Sequence, residues 1–522
     1  MRTKERDIDA FPSAVIRASE STSIRRADVP VPLSCRKIAH TLGGPSVPPG
    51  TSPPEPPVKR ILLAGCLLLV AAGVPAHAQS GAPMPAIRLD FEEDTLPNGL
   101  RVIYHVDRSA PVAATVLWYD VGSKHEVAGR TGFAHLFEHL MLFTGSRNAV
   151  EGRHFALLEA VGSRTGNDIN GTTSWDRTNY FQQVPSHALE LALWLEADRM
   201  ATLDEALNEA KLVNQREVVK NERRQSADNQ PYGRWLEKML SHLYPAEHPY
   251  HHLVLGSMAD LEAASLEDVR GFFRTWYVPN NAVLAIAGDI DVAQARTMVR
   301  RYFGGIPRGP EPPPVRRVPL AAKLGASPRE VITDPNAPAP AVYVGFRVPG
   351  GRDPRAPAVS LLADMLAGGR SSPLYQSLVR ERQAATNVFS FNLGLVEDAD
   401  MLVVGVVGRP GASVDSLEAA LLAELETVGA RVDGTQLARA QAAEGFNVVN
   451  QLQQMGGFGG RGDALAEGAI LYNDPGWVNR RIPALNAVTV DDVQAIAREF
   501  LVADNRAILV FVPAPRPQEA AR

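Results

Sequence analysis

In "TGFAHLFEHLMLF", Thr131 to Phe143, two histidines and a glutamate interrupt an otherwise apolar run. His135 and His139 are four residues apart, so on a helix they project side by side about one turn apart, as two imidazoles sharing one metal ion must. Glu138 lies beside His139, where its carboxylate can approach a water on that metal without becoming a ligand. The chemistry this spacing serves is metal-assisted attack of water. With 12 histidines in 522 residues, the H-x-x-E-H pattern arises by chance roughly 0.02 times per chain of this composition.

Elements must hold such a trio in place. Phe133, Leu136, Phe137, Leu140 and Phe143 recur at helical spacing, which predicts an α-helix from Gly132 with one apolar face. A catalytic zinc takes three protein ligands and leaves a fourth position open, so one more ligand must come from a facing element. "LNEAKLVNQREVVKNERRQS", Leu207 to Ser226, reads as a long helix with Leu212, Val218 and Val219 turned inward, and it offers Glu209, Glu217 and Glu222. Periodicity does not choose among the three. Cys35 and Cys66 both precede the body of the chain, so any metal there is held by histidine and carboxylate, and no disulfide is available.

The length predicts two to four domains. Hydrophobic content of 45% and charged content of 21% are those of a globular protein, and a net charge of −5 without a basic stripe leaves no case for nucleic acid as a partner. Residues 1–58, rich in Arg, Ser and Pro, are expected to be disordered. Lys59 and Arg60, the apolar run Ile61 to Val74 and Ala76-His77-Ala78 then have the order of a secretory signal peptide over 59–78, cleaved after Ala78. "LAGC" has the form of a lipoprotein acylation box but sits near the start of the apolar run, so anchoring at Cys66 is the lesser expectation. The run is too short for a permanent span, and the mature protein is expected in the periplasm or secreted.

The body divides at a proline-rich linker, 307–328, between a domain at 79–306 and another at 329–522. The two halves echo each other. "DVRGFFRTWYVPNNAVLAIAGD" from Asp268 aligns without a gap on "DVQAIAREFLVADNRAILVFVP" from Asp492, as helix, turn with Asn281 or Asn505, and strand. Both halves also open with two strands before a helix. A duplicated α+β unit is predicted: two homologous α/β-sandwich-type halves with mostly antiparallel sheets and helices packed on them, closing toward each other as a clam shell. Only the first half carries H-x-x-E-H. "HPYHH" at His248 to His252 reads as a surface loop or a packing element rather than a second metal cluster, and "GGFGGRG" at Gly456 to Gly462 as a flexible turn.

Three motifs in order, "HLFEHLMLFTGS", "NGTTSWDRTNYF" and "NQREVVKNERRQSADNQPYG", resemble the pitrilysin and insulinase superfamily of zinc metallopeptidases (inverzincins), especially its mitochondrial-processing-peptidase-like bacterial branch. The resemblance covers nearly the whole mature chain. It implies one Zn2+ per chain held by His135, His139 and Glu222, with Glu138 as general base in amide hydrolysis. The chain would be a zinc-dependent endopeptidase acting on peptides or small unfolded polypeptides. A family carboxylate that supports the ligands falls on Gln215. The substrate would add as a strand along Ile169 to Ser174, meeting Asn170, Gly171 and Thr172. Of the family's substrate-gripping pair in the second half, Arg380 matches the arginine, whereas the tyrosine position falls on Thr386. The missing half of that clamp implies a paralogous clamp-bearing subunit in a heterodimer, or a homodimer. The alternative the resemblance allows is a non-catalytic core or scaffold protein of the same fold.

Overall fold

The computed structural model describes residues 86–515. The extension 1–58, the signal segment 59–78 and Cys66 lie outside the described residues. Two sheets organise the rest. Strands β1 (Glu92–Thr95), β2 (Arg101–Val106), β3 (Val112–Tyr119), β4 (Ile169–Thr173), β5 (Thr178–Pro185) and β6 (Ala282–Gly288) form one sheet in the order β1-β2-β6-β3-β5-β4. Strands β7 (Arg329–Asp334), β8 (Ala341–Pro349), β9 (Ala385–Asn392), β10 (Ala399–Gly408) and β11 (Arg506–Pro513) form the other in the order β7-β11-β8-β10-β9. Apart from β1, the two orders are the same: β2 runs parallel to β6 as β7 does to β11, and every other neighbour is antiparallel.

The helices used below are α1 (Phe133–Phe143), α2 (Leu189–Ala206), α3 (Glu209–Arg223), α4 (Trp235–Leu243), α5 (Leu266–Trp276), α6 (Ala356–Ala367), α7 (Arg461–Leu471) and α8 (Val490–Phe500). The duplication reaches atomic detail at α5 and α8. Each opens with a capping box, Ser265 with Asp268 and Thr489 with Asp492, which satisfies backbone N–H groups that the first helical turn leaves unpaired. Each is followed by an asparagine that ties helix to sheet. Asn281 Nδ2 donates to the carbonyls of Trp276 and Asp120, and Asn505 Nδ2 to those of Phe500 and Arg347. The chain is therefore two sheet-plus-helix domains of one pattern, a clam-shell half.

The halves also exchange cover. Helix α4, from the first half of the sequence, packs on β8 and β11 of the second sheet, while α7, from the second, packs on β3 and β6 of the first. Both contacts need glycine. A Cβ at Gly345 would run into Met239 Sδ, and one at Gly462 would meet Val116 Cγ2 at 2.9 Å. On its opposite face the first sheet carries α1 and α2. Its edge strand β4 therefore lies beside α1, the helix with the histidine pair.

Candidate metal centre

Helix α1 is set by what precedes it. Gly132 at its N-terminus has φ +88, and a Cβ there would press on the Leu255 carbonyl at 2.9 Å, so this position requires glycine. Glycine offers no capping oxygen. Glu126 supplies one from a distance, its two carboxylate oxygens accepting from the backbone N–H groups of Gly132 and Ala134 at 2.8 Å. The Glu126 side chain is fully buried, and burial pushes its carboxyl up despite the His252 imidazole 2.9 Å away and the two backbone donors. The "HPYHH" loop thus packs and positions: His252 pairs with Glu126, and His248 stacks on Tyr244 at 5.0 Å.

Along α3, Leu212, Gln215 and Val219 are buried and Glu222 is half-buried, a face spaced three and four residues apart that turns toward α1. Val218, expected inward, is only half-buried, because it lies to the side of that face. Glu217 instead points outward and pairs with Lys220 at 2.9 Å, and Glu209 is exposed in the first turn. Of the three glutamates, the helix crossing brings Glu222 to the histidines.

His135 Nε2 lies 3.7 Å from one carboxylate oxygen of Glu222, and His139 Nε2 lies 3.3 Å from the other. One ligand atom from each of the three residues falls within 4.8 Å of the other two. Donors bonded at 2.0–2.1 Å to a tetrahedral ion stand about 3.3 Å apart, so the set fits a zinc-sized cation. The Nδ1 atom of His135 is buried without a hydrogen-bond partner among the described residues, and the Gln215 amide sits against the His139 ring, where it favours the protonated form. Burial lowers His135 below the ordinary imidazole range, although the Glu222 carboxylate opposes it. Burial acts on His139 in the same direction, but its hydrogen bond to Glu222 and the Glu138 charge outweigh it and leave this ring raised. Two carboxylates acting on two imidazoles are short of positive charge, which a divalent cation would supply.

Glu138 is 8% exposed, and its Oε2 accepts a hydrogen bond from Thr173 Oγ1 at 2.8 Å. Thr173 ends β4, whose residues Asn170, Gly171 and Thr172 form the edge of the first sheet. Ring contacts continue from the histidines through Phe143 to Phe155. Arg380 lies elsewhere, exposed in the helical turn before β9, where it donates to Gln376 at 3.2 Å. No hydrogen bond or ion pair among the described residues joins it to the cluster. Thr386 donates to the carbonyl of Val407 across the second sheet.

Sequence reasoning missed Thr173 and Glu126. For Glu126 the signal was an acidic residue six positions ahead of a helix start that lacks a capping side chain. Thr173 had none, since only the pairing of sheet edge with helix reveals it.

Fold and cluster together define a class: a half-shell of two repeated domains, the first carrying a His–His–Glu set that could hold a metal ion and the second repeating the fold but not the donors. The chain belongs to peptidase family M16. Residues 101–254 match the family model described as insulinase (peptidase family M16), and residues 263–444 match the M16 inactive domain. The chain is 30% identical over 373 residues to the zinc protease PqqE of Helicobacter pylori, covering 71% of this chain and 80% of that one. It is 25% identical over 442 residues to a probable mitochondrial-processing peptidase subunit beta of Arabidopsis thaliana, covering 80% and 78%. In fold it is similar to the crystal structure of a protease from Helicobacter pylori, with a TM-score of 0.74 at 24% identity over 81% of this chain and all of that one. It also resembles the first half of the periplasmic protease PqqL from Escherichia coli, with a TM-score of 0.66 at 19% identity over 82% and 94%. Among the described residues no helix is long and apolar enough to cross a membrane.

Proposed function

We propose that this chain is a zinc-dependent endopeptidase that cleaves peptides or small unfolded polypeptides after export, as the catalytic subunit of a pair. The observation that carries the reading is the convergence of His135, His139 and Glu222 within 4.8 Å, with the buried carboxylate of Glu138 on the same helix turn. His135, His139 and Glu222 would hold one Zn2+, which when bound acts as a Lewis acid toward the peptide carbonyl and acidifies water. The chain's own groups do the rest. Glu138 takes a proton from the attacking water and delivers it to the leaving amine. The free edge of β4, at Asn170, Gly171 and Thr172, takes the substrate as an added strand, which favours extended, unfolded chains over folded ones. Gln215 holds the His139 ring from behind.

The second half brings Arg380 but Thr386 where the family places a tyrosine, which supports a partner that completes the grip. The relatives include a peptidase subunit named as a β chain, and export accords with the fold shared with a periplasmic protease.

Glu138→Gln is the deciding experiment. The variant should keep one zinc per chain while its hydrolysis of an internally quenched peptide falls about 10²- to 10⁴-fold. Unchanged hydrolysis would refute the assignment, and absence of hydrolysis in the native chain, alone and with any clamp-bearing paralogue, would favour a scaffold. Equal cleavage with and without such a paralogue would refute the pairing.

A further inference from the structure

We propose that Thr173 is a positioning residue for Glu138, so that the strand edge that receives the peptide and the carboxylate that activates water move as one unit. The inference rests on the hydrolytic reading of the His135–Glu138–His139–Glu222 site and adds to it a residue outside the metal-binding motif.

A glutamate side chain has three rotatable bonds, and the Glu138 charge acts on the imidazoles of both His135 and His139. Something must select its orientation. Thr173 Oγ1 donates to Oε2 at 2.8 Å. In the proposed reaction the other oxygen, Oε1, would be the one that meets water.

Thr173 is suited to this because it is itself held. Its β-branched side chain has few rotamers. Its backbone pairs with Thr178 of β5, and Thr178 Oγ1, fully buried, donates to the carbonyl of Val121 at 2.8 Å. One residue earlier, the Thr172 carbonyl accepts from Arg177 Nη1 at 2.9 Å, and the Arg177 guanidinium lies 5.0 Å over the Trp118 ring. The end of β4 is thus pinned from the sheet side and passes that fixed geometry to Glu138. A peptide that registers on this edge is placed against a carboxylate already aimed from the same strand. The arrangement acts on turnover rather than on peptide binding, because Thr173 donates its hydroxyl to the base and not to the substrate.

The test uses the zinc-loaded protein, with its partner subunit if cleavage needs one, and an internally quenched peptide. Thr173→Val removes the hydroxyl at nearly constant shape. It should lower kcat about 10- to 100-fold, the worth of a hydrogen bond to a charged group, with KM within about twofold. Zinc content, zinc affinity by chelator competition and melting temperature should stay at native values. Thr173→Ser, which restores the hydroxyl, should recover kcat to within about threefold. Should the valine variant fold poorly, Thr173→Ala carries the same comparison against serine.

Native kcat in the hydroxyl-free variant would overturn the proposal, as would a loss confined to KM or a serine variant as impaired as valine. The two readings separate cleanly. If Glu138→Gln remains active, the hydrolytic reading fails. If Glu138→Gln is inactive while Thr173→Val is fully active, only the role of Thr173 fails.

Discussion

Gln215 stands buried beside His139, and its amide favours the protonated form of that ring. An amide oxygen can accept the Nδ1 proton and fix the ring, but it lacks the charge with which a carboxylate makes the opposite nitrogen a stronger ligand. Gln215→Glu should therefore tighten zinc about tenfold in chelator competition. Unchanged or weaker zinc binding would show that the ring is oriented by something else. The same residue-scale logic separates the carboxylates of the site. Glu222 faces both imidazoles and would complete the metal-binding set, whereas Glu138, hydrogen-bonded to Thr173, would stay available for proton transfer.

At the scale of the element, α1 depends on a cap it does not carry. The chain reaches its first turn through a left-handed glycine, and the buried Glu126 supplies the acceptors for two otherwise unpaired N–H groups. Glu126→Ala should lower the unfolding free energy by about 1–3 kcal/mol in urea titration. Zinc occupancy should weaken with it, because His135 lies in the first turn of the helix that frays. Full stability of the variant would mean that water replaces the carboxylate. Helix α3 makes the complementary point: its buried face of Leu212, Gln215 and Val219 continues to Glu222, so the packing that seats the helix also aims the ligand.

Across the whole molecule, the halves are joined by a buried polar hub as well as by the exchanged helices. Lys124, 3% exposed in its side chain, pairs with Asp176 at 3.0 Å; Tyr250 donates to the same carboxylate, and the other Asp176 oxygen accepts from Val396 N–H. Val396 belongs to a turn organised by Asp400, which accepts from Asn392 Nδ2 and from the N–H groups of Gly394, Leu395 and Met401. Burial pushes Asp400 up to about 6, and its four donors only partly offset this. A carboxyl raised on folding stabilises most while both states are protonated, below about pH 4. That contribution is lost as pH rises through about 6, because the unfolded chain ionises first. Asp400→Asn does not titrate at this position. The stability of the native protein relative to this variant should therefore fall by up to about 3 kcal/mol between about pH 4 and pH 7. A difference independent of pH would contradict the raised carboxyl.

The sequence by itself determined what is local or repeated. The spacing of Phe133, Leu136, Phe137 and Leu140 sets a helix, which places His135 and His139 side by side; the gapless echo of Asp268 on Asp492 sets the duplicated unit. These follow from covalent periodicity, 3.6 residues per helical turn and two per strand, which is written in the order of residues. The choice of Glu222 over Glu209 and Glu217 came in the sequence only through family resemblance, since all three lie on one helix and differ only in which face meets α1. The crossing of α1 and α3 decided it in space. Tertiary structure alone also decided that Thr173 reaches Glu138 and that α4 and α7 each cover the other half's sheet. Those are contacts between elements distant in the chain, and they depend on packing angles and close glycine approaches that no local pattern encodes.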